Sequence, residues 1–446
     1  MSHLPVPIEE RWLHAVSGSA ASELATWADV EPVGLLDAPV MFGLYSRSDP
    51  VGAEAHDHDG HEATYGPRPS GSGLRGDVLL DAVAQRELTG RGGGHFPVAA
   101  KWRAALSAGG GGLVVANGAE GEPASVKDAA LLQLRPHLVL DGLALAAEVL
   151  GTRHAVVWLH AGDLATHRSV SRALVERASR GDLGIEMRIA VGPDHYLTGE
   201  SSSIVRGLGG GPALPLLARR PAAVEGVGGR PTVVHNVETL ARVGLAARNG
   251  DADGALVTVV GPRSRVVYSV SDRDSLGRLL ADAGAAQEAF QAVLVGGYGG
   301  AWLPWPHAAH VPLSERSLRE EGVSLGAGVI APLPRGACGL SETSRLLDFL
   351  AASSARQCGP CLFGLPALAD IFRRLAHARA SRSDLKTLAR YSAEINGRGA
   401  CHHPDGAVRL ARTALHCFAD DVRRHTTSGP CPGASGPPIL PVPEVA

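Results

Sequence analysis

Between Leu79 and Val191 the apolar positions of this chain alternate between two periods. Leu113-Val-Val-Ala116, Ala155-Val-Val-Trp-Leu159 and Ile185–Val191 are short apolar runs of strand length. Between them, Pro136–Leu150 and Leu164–Ser179 repeat apolar residues at helical spacing. Strand and helix in alternation predict a layered, mostly parallel sheet covered by helices. The richest apolar run, His137–Leu150, is interrupted by Asp141 and Glu148. It falls short of the roughly 18 apolar residues a membrane span needs, and it reads as a buried helix. Near Gly254 the pattern changes. Leu256–Val260 and Val266–Val270 are β-rich, Ser275–Ala283 is helical and Ala292–Val295 is a strand, a ββαβ order that predicts a small domain of β-grasp type. Beyond Leu340 the helical period takes over in Ser341–Ala355, Leu362–His377, Ser383–Ile395 and Gly406–His425.

Upstream, residues 1–75 read as an extension. Val30–Leu44 has the pattern of a strand pair, and the polar tract Ala53–Glu62 that of a solvated loop. Metal binding by His56, His58 and His61 is the lesser reading of that tract. The Pro/Gly-rich tail after Ser428 is expected to be disordered. These shifts divide the chain into 1–75, an α/β unit over 76–250, the β-grasp unit over 251–332, a helical unit over 333–427 and the tail 428–446.

Composition narrows the function. At 446 residues, 45% hydrophobic and 20% charged, the chain is an ordinary globular protein. Its net charge of −3 argues against nucleic acid or an anionic membrane surface as partner. Met1–Glu10 lacks a basic stretch followed by an apolar core, so the expected compartment is the cytoplasm. Basic residues are nearly all arginine; the three lysines are Lys101, Lys127 and Lys386. Lysine supplies a compact ammonium where arginine supplies a planar fork, and Lys101 and Lys127 both fall inside the motifs that follow. All six cysteines lie in the last quarter, which confines thiolate chemistry there.

Five segments carry candidate chemistry. Gly90-Arg-Gly-Gly-Gly-His-Phe-Pro-Val-Ala-Ala-Lys-Trp102 places four glycines in five positions, followed by Lys101. Such a loop lets backbone N–H groups approach an anion closely, although the spacing is not that of the dinucleotide fingerprint. Asn117-Gly-Ala-Glu-Gly-Glu-Pro-Ala-Ser-Val-Lys-Asp128 follows the strand ending at Ala116. Polar residues there occupy the ligand crevice of an open α/β sheet. Tyr196-Leu-Thr-Gly-Glu-Ser-Ser-Ser203 offers a flat ring, and Pro231–Thr239 places a strand before a helix start. Cys358-Gly-Pro-Cys361, with Cys401-His402-His403 downstream, suits zinc, an iron–sulfur cluster or a redox disulfide. The added Cys401 in a helical context favours the cluster.

Taken in order from Leu79 to Arg424, these segments resemble the NADH- and FMN-binding flavoprotein subunit of respiratory NADH:quinone oxidoreductase, shared with NAD-linked hydrogenases and formate dehydrogenases. The resemblance implies a Rossmann-like FMN-binding α/β domain, a β-grasp domain of soluble-ligand-binding type, and a C-terminal all-α bundle carrying an iron–sulfur cluster. By matching position, Gly90, Gly92, Gly93 and Lys101 would embrace the FMN phosphate and ribityl chain, and Asn117 and Glu120 would contact the flavin. Tyr196, Gly199 and Glu200 would line the flavin and nicotinamide pocket, Asn236 would hold the phosphate end, and Glu122 matches an acidic residue on the NADH side. Cys358, Cys361 and Cys401 match three of four cluster cysteines; the fourth falls on Ala355. That leaves a [4Fe–4S] cluster with a substitute ligand, for which His402, His403 and Cys338 are candidates, or a [3Fe–4S] cluster. The nucleotide side departs at Ala104, Ala119, Ser201 and His235. The implied activity is hydride transfer from NAD(P)H to FMN, with single electrons passed through the cluster to a ferredoxin-like or quinone-reductase partner. No direct membrane insertion is implied, and attachment to the periphery of a membrane complex is compatible with it. The alternative is an electron-transfer subunit that keeps FMN and cluster without binding NADH.

Overall fold

Val114, Val115 and Ala116 are wholly buried, as a strand covered by helices on both faces requires. The computed structural model describes residues 34–69, 76–181, 184–217, 220–248, 250, 252–285 and 290–443. It opens with β1 (Val40–Gly43), α1 (His58–Tyr65), α2 (Gly76–Gln85) and α3 (Val98–Ser107). The alternating region follows as β2 (Leu113–Asn117), α4 (Lys127–Leu134), α5 (Pro136–Val149), β3 (His154–His160), α6 (Leu164–Arg180), β4 (Glu186–Gly192), α7 (Ser201–Leu208), β5 (Thr232–Asn236) and α8 (Val237–Ala246). Its four strands form one sheet in the order β4-β3-β2-β5, parallel throughout. Helices α5 and α8 pack directly on each other. A Cβ at Gly142 would lie 1.8 Å from the Leu240 carbonyl oxygen, so only glycine permits that approach.

Next come β6 (Ala255–Val260), β7 (Ser264–Val270), α9 (Leu276–Asp282), β8 (Phe290–Val295), β9 (Ala301–Pro304), α10 (Glu315–Glu320) and β10 (Val329–Pro334). With β1 they form a second sheet, ordered β1-β7-β6-β10-β8-β9, in which only β6 and β10 run parallel. The two sheets are bonded to each other. Glu238 Oε1 accepts the Leu256 amide at 2.8 Å, Thr258 Oγ1 accepts the Val126 amide at 3.2 Å, and Ser125 Oγ donates to the Ala327 carbonyl at 3.0 Å. Arg265 donates to the Pro123 carbonyl at 2.7 Å.

The helical region comprises α11 (Gly339–Ala352), a π-helical turn at Pro360–Gly364, α12 (Leu365–Ala376), α13 (Arg382–Ile395), α14 (His403–Cys417) and α15 (Ala419–Thr427). The single helix expected over Gly406–His425 is divided at Phe418 (φ −109°, ψ 37°), whose ring is buried and packs edge-on against Trp302. Among the described residues no helix is long and apolar enough to cross a membrane.

Three expectations for the ends of the chain change. The strand pair in Val30–Leu44 is replaced by β1, which pairs antiparallel with β7 in the register Val40↔Val267; residues 30–33 lie outside the described residues. The polar tract Ala53–Glu62 is not a solvated loop. Asp57 caps α1 by accepting the Gly60 amide, and His58 and His61 are buried, with His61 Nε2 2.8 Å from Asp141 on α5. Imidazoles count as polar in a composition, but a helix bearing them on one face buries that face against a carboxylate. The tail is ordered as far as residue 443. Glu342 accepts the amides of Ile439 and Leu440 at 3.1 and 3.3 Å, the Tyr298 hydroxyl donates to the Pro441 carbonyl, and Leu440 is 1% exposed. A buried carboxylate that satisfies two backbone donors anchors a segment whose composition alone reads as disordered.

Candidate functional site

Asn117 ends β2 and Asn236 ends β5, and the two are direct register partners. They lie at the carboxyl edge of the parallel sheet, where an open α/β fold leaves its crevice. Asn117 Nδ2 donates to the Gly199 carbonyl at 2.7 Å, and its Oδ1 accepts the Ala119 amide at 3.2 Å. Asn236 caps α8 by accepting the Glu238 amide at 2.9 Å, and its Nδ2 donates to Asp128 at 2.6 Å. The loops after β2, β4 and β5 are thus gathered around one edge. Glycines allow this: a Cβ at Gly199 would meet the Ala119 carbonyl at 2.3 Å, and one at Gly121 the Tyr196 carbonyl at 2.0 Å.

The loop Gly90–Gly94 lies against this edge. Gly92 approaches the Asn236 side chain, and Gly93 (φ +93°) approaches Gly326, just ahead of β10. The Gly90 amide is taken by the Phe96 carbonyl and the Arg91 amide by Thr239 Oγ1. Gly94 faces open space. Arg91 is buried at Nε with no hydrogen-bond partner among the described residues, and His95, whose pKa burial lowers, makes no hydrogen bond there and has Nδ1 3.7 Å from the Glu315 carboxylate. Buried donors without acceptors are costly unless a ligand completes them, and an anion fits this cradle. Lys101, on α3, donates to the Val234 carbonyl at 2.9 Å, and burial lowers its pKa. An ammonium has three donors, so this bond leaves two.

The acidic residues fall into two groups. Glu120 receives Arg47 at 2.9 Å and the Ser125 hydroxyl. Asp128 is bonded by Lys127 at 2.6 Å, and Lys127 also reaches Glu238 at 3.1 Å. Burial pushes Asp128 up to about 6 even against Lys127. Lys127 therefore serves a buried ion network and not a ligand directly. The second group centres on Glu122, which is buried and pushed up to about 7 by that burial. Its Oε2 accepts the Tyr298 amide at 2.9 Å and the Tyr196 hydroxyl at 3.3 Å. Tyr196 is half-buried, its ring edge-on to Phe349 and tilted on His403. Asp128 and Glu238 fall inside quoted segments but were given no role, and Arg47 and Tyr298 fall in none of the five segments. Arg47 lies in the extension, Tyr298 in the second sheet's loop, and only folding brings them to Glu120 and Glu122.

Glu200 caps α7, accepting the Ser202 and Ser203 amides at 2.8 and 3.1 Å. From there its charge bears on Cys401. One turn along α7, Arg206 contacts Gln357 of the cysteine loop at 3.4 Å. The crevice and the cysteines are therefore neighbours. Burial, with Cys358 and Cys401 close by, pushes the Cys361 thiol up to about 12; burial pushes Cys401 up to about 11. Cys361 and Cys401 therefore stay protonated until a soft, multiply charged group draws them in as thiolates. The donor set fits an iron–sulfur cluster. Ala355 holds the place of a fourth cysteine without a donor. Of the substitutes, His403 Nε2 bonds the Leu350 carbonyl at 2.8 Å, and His402 is fully exposed with Nδ1 3.1 Å from Asp405. Cys338 sits with His425 and Cys431 in a separate buried group.

Residues 83–245 match the family model of the Nuo51 FMN-binding domain, and residues 341–425 that of the NADH-ubiquinone oxidoreductase-F iron–sulfur binding region. The second F-type subunit of the NADH-quinone oxidoreductase of Rhizobium meliloti (strain 1021) is 28% identical over 384 residues, covering 80% of this chain and 90% of that protein. The F-type subunit of the Streptomyces coelicolor enzyme is 27% identical over 420 residues, covering 89% and 92%. Its counterpart in Escherichia coli (strain K12) is 26% identical over 411 residues, covering 86% and 92%. Among solved structures, NAD+-reducing [NiFe]-hydrogenase in the H2-reduced state superposes with a TM-score of 0.72 at 26% identity over 79% of this chain. The chain spans 63% of the length of that hydrogenase chain.

Proposed function

Since the chain belongs to the family of FMN- and iron–sulfur-binding subunits that serve NADH-quinone oxidoreductases, we propose that it oxidises NAD(P)H at FMN and passes the electrons singly through an iron–sulfur cluster to a redox partner. The proposed layout is a Rossmann-like FMN unit over 76–250, a β-grasp unit over 251–332 and a helical cluster unit over 333–427. The partner is a ferredoxin-like or quinone-reductase subunit, and the proposed location is cytoplasmic, at the periphery of a larger complex.

FMN, when bound, supplies the one group here able to take two electrons together and release them one at a time. The loop Gly90–Gly94 would hold its phosphate, with Arg91 and Lys101 as charge partners. Asn117, Gly199 and Asn236 would fix the ring and ribityl chain from the strand ends, with Gly199 present because nothing larger fits there. Tyr196 and the buried Glu122 would form one wall of the pocket, the tyrosine hydroxyl donating to the carboxyl. Glu120 would face the flavin edge, held in place by Arg47. Cys358, Cys361 and Cys401 would hold the cluster.

The observation that carries this reading is the junction at α7, where Glu200 caps the helix at the crevice while its charge reaches Cys401 and Arg206 touches the cysteine loop. Two cofactors held across one short helix are placed for electron transfer. The test is an anaerobic visible spectrum, with FMN and iron quantified, before and after NADH. Flavin bleaching with cluster reduction is expected.

A second reading, a relay that keeps FMN and cluster without oxidising NADH, is favoured by Ala104, Ala119 and Ser201 on the nucleotide side and by Arg47 pairing with Glu120. Bound FMN and iron that ignore both NADH and NADPH would decide for it. Absence of both cofactors after reconstitution would remove both readings.

A further inference from the structure

Away from the cluster cysteines, the ligand atoms of Cys338, His425 and Cys431 all lie within 4.8 Å of one another, and all three residues are buried. They come from three separate pieces of chain. Cys338 caps α11, His425 lies in the last two turns of α15, and Cys431 stands in the tail before a short 3-10 turn at Pro432–Ser435. We propose that these three side chains form a structural zinc site that pins the chain after residue 428 to the helical region.

Three features beyond proximity support a metal. The first is the histidine's orientation: Nδ1 lies 3.0 Å from the Leu375 carbonyl, so it carries the proton, and Nε2 is left as an acceptor on the side of the two cysteines. A ring nitrogen anchored to a backbone carbonyl is the usual support of a metal-bound imidazole. In this arrangement Nε2 accepts the Cys431 amide at 2.9 Å and stands 3.9 Å from Cys338 Sγ; an ion would take the place of that amide.

The second is that each sulfur faces a backbone N–H. Ser341 donates to Cys338 Sγ at 3.4 Å, at the positive end of α11, and the Gly433 amide bonds Cys431. Such donors stabilise thiolates. The third is the close approach that creates the site. A Cβ at Gly433 would lie 2.5 Å from the Gly336 carbonyl and 2.8 Å from the Cys338 amide, so the tail is pressed against the start of α11 where only glycine fits.

Two thiolates and an imidazole make a zinc donor set lacking one member. Asp421 lies one turn before His425 on α15, on the same face, and its charge already bears on Cys431. Its carboxylate lies outside the group of ligand atoms within 4.8 Å of one another, so the fourth position would be filled by water or by a turn of the Asp421 side chain. Binding would release the two thiol protons and change no oxidation state.

The test uses the full chain, purified anaerobically with its iron loaded, then given zinc alone or cobalt(II) as a spectroscopic substitute. Close to one zinc per chain beyond the iron is expected, with a thiolate-to-cobalt charge-transfer band. Cys431→Ser and His425→Gln should lose the zinc and keep the iron, whereas Cys361→Ser should lose iron and keep the zinc. Iron-loaded wild type that takes up no zinc and shows no cobalt band would overturn the proposal, whether or not the variants fold. So would zinc that leaves with Cys361→Ser instead of Cys431→Ser, or a Cys338–Cys431 disulfide in the peptide map of the anaerobic protein.

Discussion

Asn236 spends its two amide atoms on opposite duties, its oxygen capping α8 through the Glu238 amide and its nitrogen holding Asp128 at 2.6 Å. Aspartate caps a helix about as well as asparagine. Asn236→Asp therefore keeps the cap and removes only the donation, setting a second carboxylate against Asp128. The expected cost is about 1–3 kcal/mol in urea unfolding, with FMN content falling in parallel. An unchanged midpoint would show that the Asp128 contact contributes nothing.

Glu122 supplies a pH dependence. Its folded pKa of about 7 lies above the unfolded value of 4.5. Between these values the folded state holds a proton that the unfolded state has released, so stability falls as pH rises from 4.5 to 7 and then levels. The drop assigned to this group is at most about 3 kcal/mol. Glu122→Gln keeps an acceptor for the Tyr298 amide and cannot ionise. Its stability relative to wild type should thus improve between pH 5 and pH 8, as followed by denaturant midpoints at both. A gap that stays constant across the range would place the Glu122 carboxyl at an ordinary pKa.

Arg91 and Gly94 separate binding from folding within one loop. Arg91→Ala removes a buried cationic donor with no hydrogen-bond partner at Nε, and FMN affinity should weaken about tenfold or more. Gly94→Ala adds a methyl where nothing lies within 4 Å, and the fold should hold. Equilibrium release of FMN, read from its fluorescence, and the melting temperature distinguish the two.

Cys361→Ser removes the buried thiol of the proposed cluster set. Stoichiometric iron should be lost, while NADH still bleaches the flavin and transfer to a one-electron acceptor falls at least tenfold. Iron quantification with paired two-electron and one-electron assays reads this; full one-electron activity in an iron-free variant would exclude the cluster as the exit route.

The parallel sheet was legible because its central strands β2 and β3 are buried on both faces and declare themselves as apolar runs; β2, β3, β4 and β5 all stand where the pattern placed them. Asn117 and Asn236 were legible for a related reason, since the end of a strand is visible in sequence and the crevice lies at strand ends. What escaped was everything that depends on distant segments meeting. Arg47 carries no local signature of its bond to Glu120, 73 residues away. The tail gives no sign that Glu342 will hold it. His58 and His61 read as solvated because the carboxylate that pairs with His61, Asp141, lies 80 residues on. Lys127 was singled out for its rarity, and its rarity proved to mark a buried ion network and not a ligand contact.

The bonds between the two sheets bear on how this chain is handled as material. A cut near residue 250, the natural choice for isolating a flavin half, would strip Glu238 of the Leu256 amide, Val126 of Thr258 and Ser125 of the Ala327 carbonyl in one stroke. The fragment would keep its motifs and lose the floor beneath Asp128 and Glu120. Anyone cloning or grafting this flavin site would do better to move both sheets together.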